Sequence, residues 1–169
     1  KDYGRNYVWL WHPWLPFYVL AGFFAALGKS TLVCRLPFAL FGIATVVLAY
    51  RFGQSFWKSR LAGLFAAVAL AANVSFMILA RQCRYYAPRM FFALLGLYAY
   101  HAMLERRRYA AVVFAVSAIM LFHTHYVHYA ALLVSVGIHA ILFHRERIKP
   151  VLIASVVTAV ANAPWIFWF

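Results

Sequence analysis

An all-α bundle that crosses a membrane several times is the fold class this sequence predicts, and three observations predict it. Hydrophobic residues make up 67% of the chain and charged residues 11%, where soluble domains carry about 25% charged residues. The 16 Lys and Arg fall in short clusters separated by uncharged runs. Several of those runs, residues 61–80 above all, reach the roughly 20 residues that a helix needs to cross the hydrocarbon core.

The expected architecture is about six spans plus one N-terminal interfacial, juxtamembrane helix, in a single transmembrane domain over residues 1–169. Residues 1–30 form the interfacial segment and residues 35–169 the helical spans. Lys1 to Asn6 lack a starting Met and any signal-peptide pattern, so the chain is expected to be a fragment of a longer polytopic protein.

Residues 6–28 are uncharged but broken by Pro13, Pro16, Gly22 and Gly28, which leaves a clean apolar run too short to span. Trp9, Trp11, Trp14, Phe17 and Tyr18 crowd its start, as suits a segment at headgroup level. Next, Arg35-Leu36-Pro37 opens an uncharged run to Tyr50, closed by Arg51, Lys58 and Arg60. Its flanking arginines can snorkel to the interface. Residues 61–80 read as one full span and residues 90–104 as another, ended by Glu105-Arg106-Arg107-Arg108. From Tyr109 to His144 there is no formal charge, too long for one crossing, and His123-Thr124-His125-Tyr126-Val127-His128 divides it into a helical hairpin. Arg145-Glu146-Arg147-Ile148-Lys149-Pro150 closes the hairpin, and residues 151–169 form the last span.

The loops at 51–60, 105–108 and 145–149 carry nine Lys and Arg, against Lys29, Arg35, Arg81, Arg84 and Arg89 on the other side. By the positive-inside rule the first set is cytoplasmic. The formal charge of +13 forms no single solvated stripe, so nucleic acid is not an expected partner. The lipid bilayer is. Cys34 and Cys83 cannot build a disulfide framework, and a bridge between them is not expected.

One stretch departs from the apolar composition. Ala80-Arg81-Gln82-Cys83-Arg84-Tyr85-Tyr86-Ala87-Pro88-Arg89 packs three arginines among aromatics between two uncharged runs. An arginine at the bilayer centre costs roughly 2.5–3.5 kcal/mol on insertion scales. Three of them need a water-filled cavity, lipid headgroups, or a phosphate-bearing ligand for their guanidinium forks.

The run His12-Pro13-Trp14-Leu15-Pro16-Phe17-Tyr18, then Arg35-Leu36-Pro37-Phe38-Ala39-Leu40-Phe41-Gly42, then Ala80-Arg81-Gln82-Cys83-Arg84-Tyr85-Tyr86-Ala87, then Thr124-His125-Tyr126, then Ala163-Pro164-Trp165, resembles GT-C membrane glycosyltransferases of the protein-mannosyltransferase type. Each motif alone is weak; five in order across the chain are specific. The resemblance implies an enzyme that moves a sugar, a hexose such as mannose, from a polyprenyl-phosphate carrier to a protein, lipid or glycan acceptor. It implies a multi-pass protein of the plasma (inner) membrane with its site on the outer face. The family's catalytic Asp-Glu pair precedes the His-Pro motif, and only Asp2 stands there, so the catalytic residue is expected upstream of this fragment. Where relatives carry a carboxylate in the basic stretch, this chain has Gln82 and Ala87. A divalent metal in the longer enzyme is left open.

A phosphate leaving group needs positive charge already in place when its bond to the sugar breaks. Arg81 and Arg84 are the leading donor-phosphate ligands, on one face if their stretch is helical, with Arg35 and Arg89 beside them. His12, Gln82, His123, His125 and Tyr126 are candidates for a polar cavity, and His125 and His128 share a helix face that could offer two imidazoles to a metal. Plain lipid anchoring by the arginines and water or turn contacts by the histidines are the structural alternatives. Two other functions fit the same cations: a transporter or flippase for an anionic lipid or solute, and a polyprenyl-phosphate-binding relative without transfer.

Overall fold

The structure, a computed structural model, describes residues 13–168 and is helical throughout, with no strand among them. The first helix, α1 (Leu15–Leu27), carries Pro16 in its first turn, where the missing N–H removes no intrahelical bond. It ends at Gly28, whose φ of 79° suits glycine. Its 13 residues reach roughly 20 Å, short of the hydrocarbon thickness.

Ser30 starts α2 (Thr31–Trp57) by accepting a bond from the Val33 N–H at 3.2 Å. Helix therefore begins four residues before Arg35, which the sequence placed at the head of the span. Pro37 lies inside α2 and leaves the Val33 carbonyl without its intrahelical donor. A left-handed Lys58 ends the helix, and Ser59 caps α3 (Arg60–Ala71).

Residues 61–80 are not the single straight span the apolar run suggested. Asn73 accepts from the Phe76 N–H at 2.9 Å, which starts a separate α4 (Val74–Ala80) and bends the pair by 68°. An Asn side chain competes with the helical ladder, so one polar residue overrides the hydropathy of its neighbours. The chain continues through α5 (Tyr86–Leu104), α6 (Ala110–Phe122), α7 (Tyr126–Phe143), a 3-10 turn (Arg145–Arg147) and α8 (Ile148–Trp168). Among the described residues three helices, Thr31–Trp57, Tyr126–Phe143 and the segment Arg145–Phe167, are long and apolar enough to cross a membrane, or four if the bent pair counts as one.

Two cores hold the bundle. Phe114, Ala118, Leu121, Val136 and Ala140 are buried between α5, α6, α7 and α8, while Phe38, Phe76, Ala80 and Ala87 join α2 to α4 and α5. Large apolar side chains elsewhere, such as Phe65, Val127 and Phe143, remain exposed, as a lipid-facing surface requires. Small residues let α2 and α3 approach closely: a Cβ on Gly63 would lie 2.6 Å from the Tyr50 carbonyl oxygen.

The connections gather at two ends. At one, Lys58 pairs with Glu105, and Arg107 bonds both Glu105 and Ser55. At the other, Cys34 meets Cys83, Tyr85 stacks near His125, and His123 and Trp14 meet Trp165. These are called the glutamate end and the arginine end.

Candidate functional site

The arginine end is built around residues 81–85, a run of turns and bends between α4 and α5. Pro88, in the first turn of α5, has no N–H to give the Arg84 carbonyl four residues back and its ring crowds that carbonyl, so a helix running on from α4 is disfavoured there. The Arg84 N–H folds back to the Gln82 carbonyl at 2.8 Å. Arg81 and Arg84 therefore do not share a helix face, as they would in a continuous helix.

They open onto different spaces. Arg81 lies at an apolar groove of about 360 Å³ lined by Ala39, Gly42, Val46, Phe76 and Met77. Arg84 lines a cavity of about 380 Å³ under α1, with Pro13, Phe17, Leu20, Phe38 and Tyr85. Both guanidinium groups are exposed. Arg35, also exposed, is carried by the first turns of α2, and its charge reaches the Cys83 thiol, which places it beside the loop. Gln82 is half-buried within the turn.

Arg89 is the half-buried arginine of the set and has the most defined surroundings. Its guanidinium lies 5.7 Å from the Tyr85 ring centre and 5.3 Å from that of Tyr86, within cation–π range. Tyr85 in turn lies 5.1 Å from His125, and the Arg89 charge reaches His128. So Arg89, Tyr85, Tyr86, His125 and His128 form one cluster. The tyrosine pair was missed as site residues in the sequence; its position inside a run of arginines was the available signal.

The histidine turn supplies the other wall. Thr124 is fully buried and its hydroxyl donates to the Met120 carbonyl at 2.7 Å, which closes α6 and sets the turn. His123 follows the last residue of α6, and burial pushes its imidazole below the ordinary histidine range, so it is neutral at pH 7. Its carbonyl accepts from the Leu15 N–H at 3.1 Å, which fastens the start of α1 to the turn. The Trp165 indole donates to the Tyr126 hydroxyl at 2.8 Å, and Trp14 packs edge-on against Trp165 at 4.9 Å. His12 lies outside the described residues. Asn162, fully buried on α8 below this wall, has no hydrogen-bond partner for its amide oxygen or nitrogen.

A metal centre does not fit these residues. The Nδ1 atoms of His125 and His128 face each other at 3.0 Å in a hydrogen bond, so those nitrogens are engaged with one another. Among the described residues no three His, Cys, Asp or Glu converge.

Electrostatically the site is one-sided. The described acidic residues, Glu105 and Glu146, both belong to the glutamate end, where Lys58 first and Arg107 second hold the Glu105 carboxyl below the usual carboxylate range. Arg35, Arg81, Arg84 and Arg89 therefore meet no carboxylate among the described residues. Such an end can bind an anion by charge-assisted hydrogen bonds, with aromatic faces and apolar grooves beside it.

No curated protein and no solved structure matches this chain. The family described as dolichyl-phosphate-mannose-protein mannosyltransferase matches residues 11–168, from the His-Pro motif through α8. With nearly the whole chain matched, and with the helical bundle and its basic loop in place, the chain belongs to that family of membrane glycosyltransferases.

Proposed function

We propose that the chain is one transmembrane domain of a glycosyltransferase that takes a hexose from a polyprenyl-phosphate carrier at the arginine end, facing the extracytoplasmic side of the plasma membrane. The observation that carries this reading is the four arginines that meet no carboxylate among the described residues, one of them at the mouth of an apolar groove. A polyprenyl chain is apolar and its phosphate anionic. Arg81 at the end of the groove suits that division, with the isoprenoid along Ala39, Val46 and Met77 and the phosphate at the loop.

Six crossings are proposed: α2, the bent α3–α4 pair, α5, α6, α7 and α8, with α1 in the interface. Helix α6 is as short as α1 but runs from the glutamate end to the arginine end, whereas α1 starts at the arginine end and leads into α2 there. In that arrangement the glutamate end, with nine Lys and Arg in its loops, faces the cytoplasm. Arg35, Arg81, Arg84 and Arg89 hold the donor phosphate and stabilise it as the glycosidic oxygen leaves. The acceptor hydroxyl attacks the anomeric carbon directly, and a carboxylate supplied from outside residues 13–168 takes its proton. Gln82, His123, His125 and Tyr126 line the polar space that receives sugar and acceptor.

The test is transfer of radiolabelled sugar from a panel of polyprenyl-phosphate hexoses by membranes containing the intact protein. Label passing to protein, lipid or glycan supports the reading. Donor binding without transfer would make the chain a non-catalytic binder, and neither transfer nor binding would favour a transporter of another anion.

A further inference from the structure

Two cysteines separated by 49 positions meet at the arginine end. The Cys34 Sγ donates to the Cys83 Sγ at 3.1 Å, and the Cys83 thiol donates to the Cys34 carbonyl at 3.2 Å. Both are free thiols in this structure. Cys34 lies in the first turn of α2, immediately before Arg35; Cys83 lies in the loop, between Arg81 and Arg84.

The geometry is close to that of a bond. Disulfide sulfurs sit about 2.05 Å apart, so the pair must approach by roughly 1 Å. Cys83 belongs to a non-helical turn, where side-chain rotation and a small backbone shift cost little, and it is exposed, so an outside disulfide can reach it. A buried structural pair would lack that access.

We propose that Cys34 and Cys83 form a reversible disulfide that ties the first turn of α2, with Arg35, to the loop that carries Arg81 and Arg84. The proposal rests on the outward orientation given above, because thiols at a cytoplasmic face are kept reduced. The oxidant is a disulfide of that compartment, small or carried on a thiol oxidoreductase. The Cys83 thiol gives its proton to solvent and its thiolate attacks one sulfur of the oxidant, breaking the S–S bond and releasing one thiolate. Cys34, deprotonated in turn, attacks the Cys83 sulfur of the mixed disulfide and releases the second. Two protein thiols are oxidised, one disulfide is reduced to two thiols, and the protons taken from the cysteines return to the products.

The bond would hold Arg35 at a fixed distance from Arg81 and Arg84, so that the loop enters phosphate binding already ordered. Burial first, and the hydrogen bond to Cys34 second, push the Cys83 thiol up to about 11, against the opposing charge of Arg35. Attack by its thiolate is therefore slow at neutral pH and faster in alkali.

The experiment is to quench cells producing the intact protein with N-ethylmaleimide before lysis, then digest the membranes without reductant and analyse the peptides by mass spectrometry. The expected result is a linked Cys34–Cys83 peptide from most chains, converted by dithiothreitol into two separate peptides. Recovery of both cysteines as maleimide adducts would overturn the proposal. In a second measurement, the reduced purified protein is treated with oxidised glutathione. Linkage should accelerate roughly tenfold per pH unit between pH 7 and 9, following the thiolate fraction, and a flat profile would overturn Cys83 as the attacking sulfur. Both read linkage and not transfer, so failure of the disulfide and failure of the glycosyltransferase reading are seen separately.

Discussion

The two ends of the bundle are both rich in arginine, yet they use it differently. At the glutamate end three of the cations have partners inside the protein: Glu105 receives Lys58 and Arg107, and Arg145 donates to the Ile141 carbonyl at 3.1 Å. At the arginine end Arg35, Arg81, Arg84 and Arg89 have aromatics, a thiol pair and two cavities around them, and no carboxylate among the described residues. Charge satisfied within the chain is architecture. Charge that meets no carboxylate among the described residues, beside an apolar groove, suits an anion, and the contrast says more than the count of basic residues does.

The comparison breaks most visibly at Arg84. Arg84→Ala should lower sugar transfer about 10²–10³-fold, the size seen when one preorganised partner of a developing anion is removed, while insertion and thermal unfolding stay unchanged. Unchanged turnover would make the two ends equivalent.

Next in size comes a change in the half of the bundle nearer the glutamate end. In Gly63→Leu the new side chain meets the Tyr50 carbonyl 2.6 Å from its Cβ, and backbone cannot yield as a flexible side chain does. Destabilisation of about 1–3 kcal/mol is expected, read as a lower unfolding temperature in detergent. Transfer per folded molecule should be retained, since the arginine end is untouched.

Arg89→Lys sharpens the comparison within the site. The charge remains but the planar group over Tyr85 and Tyr86 is lost, so donor affinity should fall about 2–5-fold. A larger fall in Arg89→Lys than in Arg84→Lys would make Arg89 the principal phosphate ligand.

Smallest is the ion pair itself. Lys58 is largely exposed, so Lys58→Ala should change stability by less than about 1 kcal/mol after screening. The Glu105 carboxyl has a lowered folded-state pKa, so its contribution is present above the ordinary carboxylate range and is lost as pH falls through the folded value. Acid titration of unfolding in wild type and Lys58→Ala should converge at low pH.

Much of this is legible in the sequence. Charge clusters bound the apolar runs, and where those clusters are sharp, at Glu105-Arg106-Arg107-Arg108 and at the histidine turn, helices end within a few residues. The short α1 followed from Pro16 and Gly28 punctuating an otherwise apolar segment. The break at Asn73 did not show, because hydropathy sums over a window while a cap acts through one side-chain oxygen. Arg81 and Arg84 stood out by their charge, but their divergence depends on five residues leaving the helix, and the cost that Pro88 sets at the Arg84 carbonyl lies downstream of both. The meeting of Cys34 with Cys83, and of Tyr85 with His125, is a long-range packing result that no local pattern announces.

The most direct test of the central claim is titration of polyprenyl monophosphate, carrying no sugar, against the intact protein in lipid nanodiscs. An Arg81→Ala, Arg84→Ala variant is compared with a Lys58→Ala, Arg107→Ala variant. Each removes two cations, one pair from either end. A rise in Kd of at least about tenfold in the first, the equivalent of 1.4 kcal/mol, with little change in the second, is the predicted result. Equal weakening in both would show that the lipid phosphate responds to overall positive charge, and the arginine end would lose its claim to be the site.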